Sequence, residues 1–357
     1  MIARQVADTT SSDPLGRPRI EGQVGIEGWS REIRESTIII DNKCVSPSVF
    51  FRYRFYAIPD LSPTPTRGGI AFQTGPLRLH SAMSDPGPRT VLVTGASSGI
   101  GEATVRSFLA RGDCVHASAR RVARMDSLAA AGAHIHWLDL ADESSIESLA
   151  AAVLAESGQL DVLVNNAATG VYGAVEQVPL AEARRQFEVN LFGLARLTQL
   201  VLPAMRQAQQ GTIINVSSVG GRVHTPLGAW YHASKHALEG WSDSLRLELA
   251  PFGIRVVVVQ PGAIDTEFAE LAIGPMEKRS AGGPYESTAG RMARAARRPY
   301  QAKKATPPET IAELIVSAAS ASRPKTRYVA GHLAKPVLWA RRLLGDRGYD
   351  WMVRKFL

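Results

Sequence analysis

Cysteine is nearly absent: Cys44 and Cys114 are the only two in 357 residues, and they make no CxxC pair. That argues against a disulfide-stapled secreted scaffold and against a cysteine-based zinc module. Long apolar runs are missing as well. The longest, such as Val256–Val259 in IRVVVVQPGAI, are strand-length, far below the roughly 20 residues that a membrane helix needs. The opening MIARQVADTT has no apolar block of the kind that marks a secretory signal. A reduced, cytoplasmic setting is the expectation. Aromatic residues are scarce at 7% and form no aromatic stacking motif, so nucleic acid is not an expected partner.

Acidic charge is short only in one place. The net charge of +8 divides unevenly: residues 1–82 hold 10 Lys/Arg against 8 Asp/Glu, residues 83–290 hold 16 against 21, and residues 291–357 hold 15 against 4. The basic balance therefore belongs to a tail and says little about the body. With 45% hydrophobic and 21% charged residues, a folded globular core is expected.

Residues 1–82 lack a sustained period of 3.6 or 2, and Pro and Gly are scattered through them. No methionine falls between Met1 and Met83. The expectation is a poorly ordered upstream extension over 1–82, with Met83 as the natural start. A single catalytic domain is expected over 83–332, and a basic amphipathic tail over 333–357. From Thr90 onward, apolar runs (RTVLVTG, DCVHASA, AHIHWLDL, LDVLVNNA, GTIINVSS, IRVVVVQPG) alternate with helical segments. Apolar strands separated by helices imply an α/β fold: a doubly wound, Rossmann-like parallel sheet of about seven strands with helices on both faces.

The first strand runs into TGASSGIG, Thr94 to Gly101. Gly95 permits the tight turn, and Gly99 and Gly101 let a helix N-terminus approach a pyrophosphate. Ser97, Ser98 and Ile100 complete that loop. Further on stand Asp139 and Leu140 in WLDL, Asn166 in NNAA, Asn190 in FEVNLFG, Ser218 in INVSSVGG, Tyr231 and Lys235 in YHASK, and Pro261, Gly262, Ile264 and Thr266 in PGAIDT. In this order and spacing, from about Arg89 to Thr266, the chain resembles the short-chain dehydrogenase/reductase family. Ala168 replaces the glycine usual in NNAG, and residues 1–82 have no counterpart.

The chemistry is readable beside the resemblance. Tyr231 and Lys235 are four apart in a helical segment and share a face. A neighbouring ammonium and the positive nicotinamide ring are expected to lower the tyrosine pKa from about 10 toward the range useful for proton transfer. Ser218, at a strand end, could hydrogen-bond the reacting oxygen. The resemblance implies that Asn190 holds its helix open around a water feeding Lys235, that Lys235 binds the nicotinamide ribose, and that Asp139 contacts the adenine. Each residue alone has a bland reading: a packing tyrosine, a solvated lysine, a strand-end serine. Together they carry a catalytic one. His224, His232 and His236 cluster nearby, but His232 and His236 flank Tyr231 on a helix with no carboxylate partner at ligand spacing, so no metal is expected. Asp265 and Glu267 are read as solvated.

At the end of the second strand, where NAD enzymes commonly place an acid on the ribose 2′-hydroxyl, the chain reads Ala119-Arg120-Arg121. A guanidinium there suits a 2′-phosphate. NADP(H) is favoured over NAD(H), with Arg120 as the reader and Arg121 pointing along the next helix into solvent. After Thr266, Phe268, Leu271, Met276 and Tyr285 are lid candidates, with Leu227, Trp230 and Val171 as apolar wall. The expected substrate is a lipophilic alcohol or its ketone or aldehyde. Including the basic tail, the pattern resembles the branch with 17β-hydroxysteroid and retinol dehydrogenases. The tail is read as helices packed beside the substrate mouth in preference to a weak peripheral membrane contact. A homo-oligomer is expected. The competing function is a catalytically silent dinucleotide-binding or scaffold protein on the same fold.

Overall fold

The computed structural model describes residues 88–356, together with a short antiparallel pair, Ser11–Ser12 with Pro18–Arg19. The expectations for the extension over 1–82 and for Met83 lie outside the described residues, that pair excepted.

Seven strands build one sheet: β1 (Thr90–Thr94), β2 (Cys114–Ala119), β3 (His134–Trp137), β4 (Val162–Asn165), β5 (Gly211–Val216), β6 (Ile254–Pro261) and β7 (Arg327–Ala330). Their order is β3-β2-β1-β4-β5-β6-β7, and every ladder is parallel. This is the doubly wound sheet expected from the alternating signals. The chain reverses direction across the sheet between β1 and β4, so a crevice opens beyond the carboxyl ends of those strands.

The strands are apolar on both sides because both faces are covered. Val91 and Val93 of β1 turn to one face, where they meet Phe108 of α1 (Gly99–Leu109) and Ile311 and Ile315 of α9 (Pro308–Ser320). Leu92 turns to the other, against Leu149 and Val153 of α3 (Glu143–Ser157), Leu197 of α5 (Gly193–Ala208) and Leu238 of α6 (Ala229–Leu249). The period of two along each strand sorts the side chains between these layers.

Three further features shape the crevice. Residues 188–192, between α4 (Leu180–Phe187) and α5, form one π-helical turn with Asn190 buried inside it. Helices α7 (Phe268–Ser280) and α8 (Glu286–Gln301) make a lid with its own small core of Ile273, Met276, Met292 and Leu227. The tail folds as α10 (Ala334–Phe356), broken at Gly345, whose φ of 61° and ψ of −168° interrupt the helix. No helix of the described residues is long and apolar enough to cross a membrane.

Candidate active site

The loop after β1 turns tightly into α1. Gly95 (φ 71°) and Gly99 (φ 57°) hold left-handed backbone that suits glycine. A side chain at Gly95 would come within 2.8 Å of the Ala167 backbone, and one at Gly101 within 2.2 Å of the Gly95 carbonyl. Asn166 secures this packing: its Nδ2 donates to the Thr94 carbonyl at 2.9 Å. The Thr94 hydroxyl in turn accepts the N–H groups of Asn166 and Ala167, each at 3.0 Å. Ser98, the N-cap of α1, supplies no side-chain cap, so the first helical N–H groups are free for an anion.

These residues open onto a cavity of about 1510 Å3. Its volume exceeds the roughly 300–1,000 Å3 of an ordinary small-ligand pocket, enough for a dinucleotide with a substrate beside it. Sixteen of the eighteen residues singled out from the sequence line it: Gly95, Ser97, Ser98, Gly99, Ile100, Arg120, Asp139, Leu140, Asn166, Ser218, Tyr231, Lys235, Pro261, Gly262, Ile264 and Thr266. The other two stand behind the wall. Gly101 packs on the turn, and Asn190 lies inside the π turn. The Asn190 amide takes the Thr169 N–H at 2.8 Å and donates to the Thr169 carbonyl and the Ser234 hydroxyl, at 2.9 and 3.0 Å.

Tyr231 and Lys235 rise from α6 on one face, as their spacing requires, and are 6% and 3% exposed. Burial pushes the Tyr231 phenol up to about 12, opposed in part by a hydrogen bond from Ser218. The Lys235 ammonium donates to the Val216 carbonyl at 3.0 Å, and burial brings its own pKa down to about 8, with Glu239 acting the other way. Ser218 caps the short turn 219–221, its Oγ accepting the Gly220 N–H at 3.0 Å.

Aromatic rings that the motifs did not flag surround the phenol. Tyr172 lies 5.3 Å from Tyr231 between ring centroids, and Phe268 and His232 lie at 5.8 Å. His232 is held in one tautomer: Thr225 N–H donates to Nε2 at 3.2 Å, so Nδ1 carries the proton given to the Gly220 carbonyl at 2.9 Å. Burial lowers its pKa to about 4. The sequence offered Phe268 as a lid candidate and His232 beside Tyr231, and gave no signal for the Tyr172 ring.

Several expectations need correction. Arg121 does not point along a helix into solvent. Its guanidinium reaches back to the phosphate loop, 3.0 Å from Ser98 Oγ and 3.4 Å from Ser97 Oγ, and pairs with Glu267 at 3.1 Å. Glu267 also binds Arg124 at 2.8 Å, so it is paired rather than merely solvated, and both arginines hold its carboxyl below the usual range. Arg120 is exposed at the cavity rim. Trp230 leaves the wall for a shallow hollow with Leu180, Phe187 and Phe192. Leu227 and Tyr285 support the lid from behind. His224 pairs with Asp350 of the tail at 2.9 Å, a partner far too distant in sequence to be read from spacing. The tail itself lines the cavity through Val337, Met352 and Val353.

Comparison with known proteins places this architecture. The family model "short chain dehydrogenase" matches residues 89–273. A probable short-chain type dehydrogenase/reductase of Helicobacter pylori is 34% identical over 263 residues, 74% of this chain and 96% of that protein. The NADPH-dependent 3-dehydrocapnine reductase of Ornithobacterium rhinotracheale is 34% identical over 281 residues, 75% of this chain and 97% of that one. A solved short-chain dehydrogenase from Streptomyces avermitilis superposes with a TM-score of 0.62 at 34% identity, covering 76% of this chain and 95% of that one. The chain belongs to the short-chain dehydrogenase/reductase family, and it is an NAD(P)-dependent oxidoreductase.

Proposed function

We propose that the chain interconverts a lipophilic alcohol and its ketone or aldehyde, with NADP(H) as cofactor and Tyr231 as general acid/base. The observation that carries this reading is a buried phenol that shares one large cavity with Ser218, with buried Lys235 one helical turn away and an uncapped helix N-terminus. The glycine turn fits a dinucleotide: Gly95 and Gly99 line the cavity in left-handed backbone, and Gly101 packs closely behind them, leaving the helix N-terminus open to a pyrophosphate. When bound, the nicotinamide supplies or accepts the hydride. The chain's own residues do the rest. Ser218 and Tyr231 hold the reacting oxygen, and Tyr231 gives it a proton in reduction or takes one in oxidation. An ammonium at Lys235 stabilises the phenolate that donation leaves behind. Asn190 keeps the π turn open beneath that helix.

Two features support the finer assignments. Arg120 and Arg121 offer guanidinium groups at the end of β2, where Ala119 replaces the acid that would take the ribose hydroxyls, which favours NADP(H). The substrate end is walled by Val171, Phe268, Leu271, Met276 and Met352, which favours an apolar substrate of the kind taken by the hydroxysteroid and retinol branch. The silent-scaffold alternative has no support from the family or its relatives.

Tyr231→Phe tests the reading, since it keeps the ring and removes the proton. Turnover of lipophilic ketones with NADPH should fall by at least about a hundredfold, roughly 2.7 kcal/mol of barrier, with NADPH affinity nearly unchanged. Turnover within about tenfold of wild type would sink the assignment.

A further inference from the structure

We propose that His116, His136 and Glu156 form a binding site for a divalent transition metal, Zn2+ foremost, on the sheet face away from α1 and α9 and outside the lining of the active cavity. Sheet register brings the ligands together. His116 of β2 stands opposite His134 of β3, and Ser118 stands opposite His136. Residues opposite one another share a face, as do residues two apart in one strand. Three imidazoles therefore emerge on one side. It is the side of Leu92, which pairs with His116 across the β1–β2 ladder, and so the side that α3 covers. The end of α3 brings Glu156 and Ser157 over them.

The donor atoms converge. His116 Nδ1 lies 2.9 Å from His136 Nε2 and 3.7 Å from Glu156 Oε2. One ligand atom from each of the three lies within 4.8 Å of the others. Tetrahedral zinc at about 2.0–2.1 Å from each ligand separates ligand atoms by about 3.3 Å. The two imidazole nitrogens need to part by only about half an ångström, and the carboxylate to close by about as much on His116 and by up to about 1.5 Å on His136, a movement within reach of an exposed glutamate.

The surrounding groups have the character of an outer shell. The His116 ring is fully buried, and its far nitrogen, Nε2, is bound to Ser157 Oγ at 2.8 Å, which fixes Nδ1 toward the cluster. His134 Nδ1 sits 3.2 Å from Glu156 Oε2 and holds the carboxylate over the rings. His136 is half-buried and Glu156 exposed, so an ion has a way in and a fourth position open to water. Nitrogen and oxygen donors in this ratio suit Zn2+ and its neighbours above Mg2+ or Ca2+. A bound ion would join β3, an edge strand paired only to β2, to α3. The next residues of the chain, Leu138 to Leu140, line the active cavity.

The test uses the full chain, stripped with a chelator and titrated with Zn2+ against a chromophoric competitor, with bound metal measured by plasma mass spectrometry. One equivalent at micromolar affinity or tighter is expected, with a rise in Tm on adding Zn2+. His136→Asn and Glu156→Gln alter groups at the rim, so the fold should survive, as metal-free melting will verify. Each should weaken Zn2+ by at least about tenfold and abolish the Tm rise. His224→Asn, at a histidine remote in the fold, should change neither. Only trace binding in the wild type, or equal affinity in the wild type and both rim variants, overturns the proposal.

Discussion

Truncating Arg121 to alanine should weaken NADPH and leave NADH almost untouched. The side chain is already set for an anion: two serine hydroxyls of the phosphate loop and Glu267 hold the guanidinium above the turn. A charge-assisted hydrogen bond contributes about 1.5–3 kcal/mol, or roughly ten- to a hundredfold in affinity. Two facts put Arg121 in the lower part of that range. Its side chain is 43% exposed, so salt screens it, and Glu267 already neutralises part of its charge at 3.1 Å. A loss of about tenfold is the working value. Arg120 is exposed and must be ordered before it can help, which costs rotamer entropy, so Arg120→Ala should cost only a few-fold. This reverses the ranking expected from the sequence. Glu267→Gln should act in the opposite direction, freeing the guanidinium and raising the NADPH preference. Ala119→Asp should turn the preference to NADH by offering the ribose hydroxyl an acceptor and the phosphate a like charge. The assay is the ratio of kcat/KM values for the two cofactors at one ionic strength. An unchanged ratio in Arg121→Ala refutes the reasoning, and a larger fall in Arg120→Ala returns the role to that residue.

Gly101→Ala would place a methyl 2.2 Å from the Gly95 carbonyl and 2.6 Å from Asn166 Nδ2, so dinucleotide binding, followed by fluorescence titration, should be lost along with about 1–3 kcal/mol of stability. Gly240→Ala in α6 meets nothing within 4 Å and should instead gain about 0.5–1 kcal/mol in urea unfolding. His232 has a folded pKa of about 4 against 6.5 for the free side chain, so the unfolded chain binds its proton first on acidification. Its contribution is present above pH 6.5 and lost as the pH falls toward 4, by up to about 3 kcal/mol. Urea midpoints between pH 7 and pH 4.5 should therefore fall less steeply in His232→Gln, and an identical slope would count against the fixed neutral tautomer.

Local information carried much of this protein. The alternation of apolar runs with helical segments determined that the sheet is parallel and doubly wound, because apolar strands joined by helices must be covered on both faces and connected by right-handed crossovers. The glycine turn and the four-residue spacing of Tyr231 and Lys235 were equally legible, since each is a matter of backbone conformation or of one helical turn. What only the tertiary structure decided depends on residues that are far apart in the chain. Arg121 could be placed only once Glu267, from the segment before α7, was seen to stand across the loop. Asp350 reaches His224 because α10 folds back to the cavity. The raised pKa of Tyr231 comes from burial, which no spacing reports. His134 and His136 alternate visibly in AHIHW, but their meeting with His116 and Glu156 depends on the register of β2 against β3 and on where α3 ends. Periodicity reveals which face a side chain takes, while the partner across that face is chosen by packing.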